Sequence, residues 1–261
     1  MMAHTLKARF ASGGSAIGVI APNRDPVLAE TIGLLGFDFY MIDGEHGALA
    51  ASDAEQLVRA CECSGIPPLA RVRSLDPKLI LQFLDAGVVG VMMPGISRRD
   101  EAEALVEAIK YPPVGARGLG PVRAANYMLG GMVQAEYVAR ANATTLVFPQ
   151  IEDLAAVEAI DDIVSARGID GVVVGPRDLA MSMGFVDGPK HSEVDAAIAR
   201  VTASVRRAGL VVGTVAGTGA QARSLVAAGY QIVLTSAAAL LANAASSFLT
   251  DARRDAPGAT S

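Results

Sequence analysis

Eight short β-branched runs alternate with eight longer Ala/Leu-rich stretches of helical spacing, and this alternation predicts an α/β fold, a single (β/α)8 TIM barrel. The length agrees, since the chain has 261 residues and one such barrel takes roughly 250. An open doubly wound sheet, the main rival, would want G-x-G-x-x-G after its first strand, and none stands there.

The strands are expected at residues 16–21, 37–43, 68–73, 88–93, 145–150, 171–174, 210–215 and 231–235. Helix starts are legible where Asp25-Pro26 and Asp76-Pro77 set a capping carboxylate before a proline at the first helical position. Ser52-x-x-Glu55 and Ser192-x-x-Asp195 have the spacing of capping boxes. Gly36, Gly65, Gly87, Gly209 and Gly229 each stand just ahead of a strand and read as helix stops. Two segments break the rhythm. Residues 112–131 form a long Gly/Pro-rich connection after the fourth helix of the repeat, and residues 251–261 lose all periodicity and are expected to be a disordered tail. Residues 1–250 are therefore expected to form one barrel domain.

Composition narrows the function. With 27 acidic against 22 basic side chains the net charge is −5, which argues against a nucleic-acid or anionic-membrane surface. No apolar run reaches about 18 residues, as a membrane span would require. Two cysteines, Cys61 and Cys63, cannot staple a chain this long, and a reducing, cytoplasmic location is expected. They sit two apart on a helix and so face away from each other.

In a barrel the chemistry sits where strands end, at the C-terminal rim. The second strand ends in Asp43-Gly44-Glu45-His46-Gly47, three ionisable side chains within four positions. On the third strand Leu69, Arg71 and Arg73 share a face, and an arginine facing a barrel interior must meet an anion, either a neighbouring carboxylate or a substrate. The fifth strand ends Gln150-Ile151-Glu152 and the sixth Gly175-Pro176-Arg177-Asp178. Two carboxylates on adjacent strand ends, with an amide beside one, suit a hard divalent cation completed by water and substrate oxygens. Pairing with arginines is the alternative. The Gly-rich stretch 213–219 after the seventh strand reads as a flexible turn, with an anion site as the other possibility. Arg117 and Arg123 in the long connection read as solvated loop arginines, with steering of anions to the mouth as the other possibility.

Asp43-Gly44-Glu45-His46-Gly47, Pro68-Leu69-Ala70-Arg71-Val72, Leu84-Asp85-Ala86-Gly87, Gly115-Ala116-Arg117-Gly118, Gln150-Ile151-Glu152 and the segment from Gly171 to Leu179 follow one another in that order. Six motifs in register over nearly the whole chain resemble the HpcH/HpaI aldolases, metal-dependent class II pyruvate aldolases that include 4-hydroxy-2-oxoheptanedioate and 2-dehydro-3-deoxyglucarate aldolases. The resemblance implies a barrel of the phosphoenolpyruvate/pyruvate type and a lyase that splits 4-hydroxy-2-oxo acids into pyruvate, or a related 2-oxo acid, and an aldehyde. It implies Glu152 and Asp178 as ligands of Mg2+, Mn2+ or Co2+, with Gln150 beside them. Arg71 would stabilise the enolate, His46 paired with Asp85 would form an acid/base dyad, and the backbone from Gly175 through Arg177 to Asp178 would hold the substrate carboxylate. A homo-hexamer exchanging C-terminal helices is implied as well.

The chemistry is sound in its own terms. Breaking a C–C bond beside a hydroxyl leaves charge that must spread onto the keto oxygen, where a cation and an arginine stabilise it. The base is either His46 or a metal-bound water. A Schiff-base route needs a lysine in an apolar strand pocket, and Lys7, Lys78, Lys110 and Lys190 all fall outside the strands. An oxaloacetate decarboxylase using the same enolate, and a barrel retained only for binding, are the other readings. Departures from the family pattern cluster on the aldehyde side: Ala48-Leu49-Ala50, Ile20, Pro149 and Thr235-Ser236-Ala237.

Overall fold

The computed structural model describes residues 2–254. Its eight strands close into a parallel barrel in chain order, with β1 (Ala16–Ala21) paired to both β2 (Phe39–Asp43) and β8 (Ile232–Ser236). Between them run β3 (Pro68–Arg71), β4 (Gly90–Met93), β5 (Leu146–Ile151), β6 (Gly171–Val174) and β7 (Val211–Val215). The strands fall where the sequence places them, shorter at some ends, with β5 and β8 each reaching one residue further at the C-terminal end. Helix α1 (Met2–Ala11) precedes the barrel, and α2 (Pro26–Leu34), α3 (Ala51–Ser64) and α4 (Pro77–Ala86) follow the first three strands. The fourth is followed by α5 (Arg99–Ile109), the long connection and α6 (Gln134–Thr144). Then come α7 (Leu154–Glu158), α8 (Ile160–Ile163), α9 (Pro176–Ser182), α10 (Ser192–Arg207), α11 (Gly219–Ala227) and α12 (Ala237–Arg253).

Period-two alternation divides the apolar side chains into two cores. Ala16, Phe39, Met41, Leu69, Met92, Leu146, Phe148, Val173, Val211, Ile232 and Leu234 fill the barrel itself. Leu6 and Phe10 of α1 close it from below, with the Phe10 ring edge-on to Phe148 at 6.5 Å between centroids. The second core lies between strands and helices. Gly18 is required by the first: a Cβ there would fall 2.3 Å from the Phe39 ring.

Asp25 and Asp76 cap α2 and α4, accepting from Val27 N–H and Lys78 N–H. Gly65 and Gly87 end α3 and α4 with φ of 79° and 115°, the left-handed turn that favours glycine. The two expected capping boxes do not form. Helix α3 starts at Ala51, and the Asp53 carboxylate accepts from Ala50 N–H, so Ser52 is already inside the helix. His191 takes the cap position of α10, and the Ser192 hydroxyl donates to Glu193 instead. The expected disordered tail is also corrected at its start, because α12 continues through Arg253; residues 255–261 lie outside the described residues. No helix among the described residues is long and apolar enough to cross a membrane.

Candidate active site

At the C-terminal ends of β2 and β3, Asp43 and Arg71 are register partners facing the barrel interior. Arg71 Nε donates to Asp43 Oδ1 at 2.9 Å and Arg71 Nη2 to Asp43 Oδ2 at 2.7 Å, a two-pronged pair with side chains only 11% and 5% exposed. Burial pushes the Asp43 carboxyl upward, but the Arg71 hydrogen bonds and charge, with N–H groups of His46 and Glu45, outweigh it and hold the pKa below the usual carboxylate range. The loop is tight because Gly44 allows it: its N–H donates to Arg71 O at 2.8 Å, and a Cβ would stand 2.9 Å from that oxygen. Arg71 keeps a further contact, Nη1 to Glu45 Oε2 at 3.2 Å.

Across the barrel mouth, Gln150 and Glu152 project from the end of β5. Glu152 is held at both oxygens: Oε1 accepts from Gly95 N–H at 2.8 Å, and Oε2 from Gln150 Nε2. Gly175 makes room for this pair, since a Cβ there would meet Gln150 Nε2 at 3.0 Å and Glu152 Oε2 at 3.2 Å. Burial, then the negative charges of Glu45 and Asp178, push the Glu152 carboxyl up to about 7. Three carboxylates thus converge on one region. One buried oxygen there, Gln150 Oε1, has no hydrogen-bond donor, and Glu45 Oε2 has only its ion pair with Arg71. An excess of negative charge beside an orphaned acceptor is the arrangement a cation and a protic ligand would satisfy. Among the described residues no three His, Cys, Asp or Glu side chains are grouped to hold a metal by themselves. A cation shared by Glu152 and Asp178 would therefore complete its shell with other oxygens.

The structure brings together Arg71, Gln150, Glu152 and, through its field, Asp178. Asp178 and Arg177 lie exposed at the start of α9, directly after Gly175. His46 stands at the rim, 60% exposed, with Glu45 Oε2 at 3.8 Å from Nε2. It does not meet Asp85 within the chain. Asp85 lies at the end of α4, which leads into the bottom of β4, and its carboxylate accepts from Arg117 at 3.0 Å. Arg117 and Arg123 do not stand at the mouth of this chain: they line a cavity of about 910 Å3 at the N-terminal ends of β4 and β5. The glycine-rich turn after β7 is closed locally, Gly217 N–H donating to Gln221 Oε1 and Asn243 Nδ2 to Gly217 O. Lys7 pairs with Asp170, and buried Lys110 donates to the carbonyls of Asn142 and Thr145 below the barrel, so neither reaches the mouth.

Sequence reasoning missed the work of Asp43, Glu45 and Gly95. Asp43 and Glu45 stood in the same motif as His46, and the expected anionic partner of Arg71 was their signal. Gly95 had none, because its part is played by a backbone N–H.

The sequence model of the HpcH/HpaI aldolase/citrate lyase family matches residues 16–243. The chain belongs to this family. It is 36% identical over 229 residues to a hydroxypyruvate/pyruvate aldolase of Rhizorhabdus wittichii, covering 86% of this chain and 89% of that one. A 2-dehydro-3,6-dideoxy-6-sulfogluconate aldolase of Pseudomonas putida is 34% identical over 203 residues, 77% of this chain and 78% of its own. The crystal structure of an HpcH/HpaI aldolase/citrate lyase family protein from Burkholderia cenocepacia superposes with a TM-score of 0.89 at 34% identity, covering 95% of this chain and 99% of that chain. This aldolase is accordingly a carbon–carbon lyase built on a TIM barrel.

Proposed function

We propose that this aldolase reversibly cleaves 4-hydroxy-2-oxo acids to pyruvate, or a closely related 2-oxo acid, and an aldehyde. The observation that carries the reading is the mouth itself: Glu152, Asp178 and Glu45 crowd negative charge beside orphaned Gln150 Oε1, while Arg71 is fixed within reach of the same region. A divalent cation (Mg2+, Mn2+ or Co2+) held by Glu152 and Asp178 would supply a Lewis acid for the keto and carboxylate oxygens of the substrate.

The protein's own groups do the rest. His46, exposed at the rim, takes the C4 hydroxyl proton. The O–H electrons form the aldehyde carbonyl as the C3–C4 bond breaks, and that bond's pair moves into C2–C3 and onto the C2 oxygen. Arg71 donates to this oxygen as its charge grows, its guanidinium already oriented by Asp43 and needing no reorganisation. C3 then takes a proton and becomes the methyl group. Gln150 aligns the substrate through its amide, and the N–H groups between Gly175 and Asp178, including that of Arg177, hold its carboxylate. In the single chain Asp85 has no part in this proton transfer.

Helix α12 buries none of its residues and exposes Leu241 and Phe248, which supports packing against another copy of this chain in a homo-oligomer. The net charge of −5 supports small-molecule substrates rather than nucleic acid or membrane.

The test is methyl-proton exchange of pyruvate in heavy water, followed by NMR with Mn2+ or Mg2+ and then with chelator. Exchange that stops on chelation and is absent from a folded Glu152→Ala variant is expected. Full exchange in that variant would overturn the metal assignment, and no exchange in the metal-loaded protein would overturn the enolate.

A further inference from the structure

A second concentration of charge lies at the other end of the barrel. The cavity of about 910 Å3 at the N-terminal ends of β4 and β5 shares no residue with the mouth. Three separate segments bring arginines to it: Arg59 from α3, Arg117 and Arg123 from the long connection, and Arg140 from α6. Glu62 is the acid among its lining residues. In a protein whose net charge is −5, a cavity this rich in arginine runs against the composition.

The protein's own acceptors do not satisfy these four groups. Arg117 Nη2 donates to Asp85 at 3.0 Å, and its guanidinium lies 4.5 Å over the Tyr111 ring. Arg123 donates from Nη1 to Ala86 O at 3.0 Å and from Nη2 to Glu62. Arg59 pairs with Glu55 at 2.6 Å. Arg140 stands over the Tyr137 ring at 5.8 Å and pairs with no carboxylate among the described residues. Three carboxylates thus serve four guanidinium groups. Moreover, Nε of both Arg117 and Arg123 is buried without any acceptor. The Arg117 side chain is only 3% exposed, so water does not supply what the protein withholds.

The backbone at the cavity is strained as well. Asn126, Tyr127 and Met128 hold φ of 47°, 55° and 59°, three successive non-glycine residues in the left-handed region, and the first two line the cavity. Such conformations persist where surrounding contacts over-determine them, and they cluster at ligand clamps. We propose that this cavity binds a small polyanion, one carrying two or more carboxylate or phosphate groups. Its oxygens accept from the exposed Arg59 and Arg140 and, further in, from the Nε groups of Arg117 and Arg123. Carboxylate and phosphate match the planar guanidinium fork equally well, and each brings the negative charge that the fourth arginine lacks. The volume is that of a metabolite site rather than of a single ion. Binding here needs neither the metal nor the mouth.

The experiment is titration calorimetry of the full chain with pyrophosphate and with tricarballylate, without added divalent metal so that neither probe is chelated. Saturable binding of at least one is expected, and the one that binds tells phosphate from carboxylate recognition. An Arg59→Gln, Arg140→Gln double variant should weaken that binding about tenfold or more. Both side chains are exposed, so this variant should melt like the unsubstituted protein. Arg117→Lys keeps the charge but removes the Nε donor and should weaken binding too; the double variant carries the test alone if it does not fold. Arg71→Lys, at the mouth, should leave the affinity within about twofold. Failure of both probes to bind at millimolar concentration would overturn the site. So would binding that Arg71→Lys abolishes and the double variant leaves unchanged.

Discussion

Replacing Asp43 by Asn tests whether the Asp43–Arg71 pair is what readies the site. The carboxylate accepts two hydrogen bonds from Arg71, at 2.9 and 2.7 Å, with both side chains nearly enclosed. An amide keeps the shape but removes the charge, and turns an NH2 group toward a guanidinium donor. Removing one partner of a buried pair costs about 3–5 kcal/mol, because the other charge is left uncompensated. Glu45, 3.2 Å from Arg71 Nη1, recovers part of this, so we expect a loss of about 2–3 kcal/mol in urea unfolding. For a chain of this size that is a fall of roughly 4–12 °C in Tm. Arg71 would also lose its aim, and pyruvate exchange should drop about 100-fold, the usual effect of disabling one oxyanion donor. The pH dependence has a definite sign. Asp43 titrates below its ordinary 3.8, so its stabilisation is present above that value and is lost as pH falls through the lower folded value. The Asn variant should therefore lose less stability than the wild type on acidification below about pH 4. A variant that loses under 0.5 kcal/mol and exchanges within threefold of wild type would refute the reasoning.

Gly175→Ala places a methyl 3.0 Å from Gln150 Nε2 and 3.2 Å from Glu152 Oε2, so Mn2+ affinity by titration calorimetry should fall at least tenfold. The ordinary backbone angle at Gly175, φ −99°, means melting should change little. Lys110, whose ammonium is pushed down to about 8 by burial, titrates in the folded state below its ordinary 10.5. Between these values the unfolded chain holds more protons, so stability rises with pH relative to Lys110→Met, by about 3 kcal/mol at most, and the difference is lost as pH falls through 8. Parallel urea unfolding curves for the two proteins between pH 7.5 and 10 would deny the depressed lysine.

Local signals in the chain determined the eight βα units, because strand alternation, prolines after capping aspartates and left-handed glycine stops act within a few residues. The same locality put Arg71 on the face of Leu69, and Gln150 on the face of Glu152, since period two in a strand needs no partner to be read. The capping boxes failed for the opposite reason: Ser52 and Ser192 have the right spacing, but the packing of α3 and α10 started each helix earlier. Which arginine faces which acid was beyond local pattern. Arg71 had Asp43 and Glu45 as candidates, while Arg117 and Arg123 were candidates for the mouth until the long connection was folded to the other end. Ion pairing depends on distances between strands far apart in sequence, and a barrel sets those only on closing. Closure alone decided that Gly95 N–H holds Glu152, and that Gly175 makes room for Gln150 and Glu152.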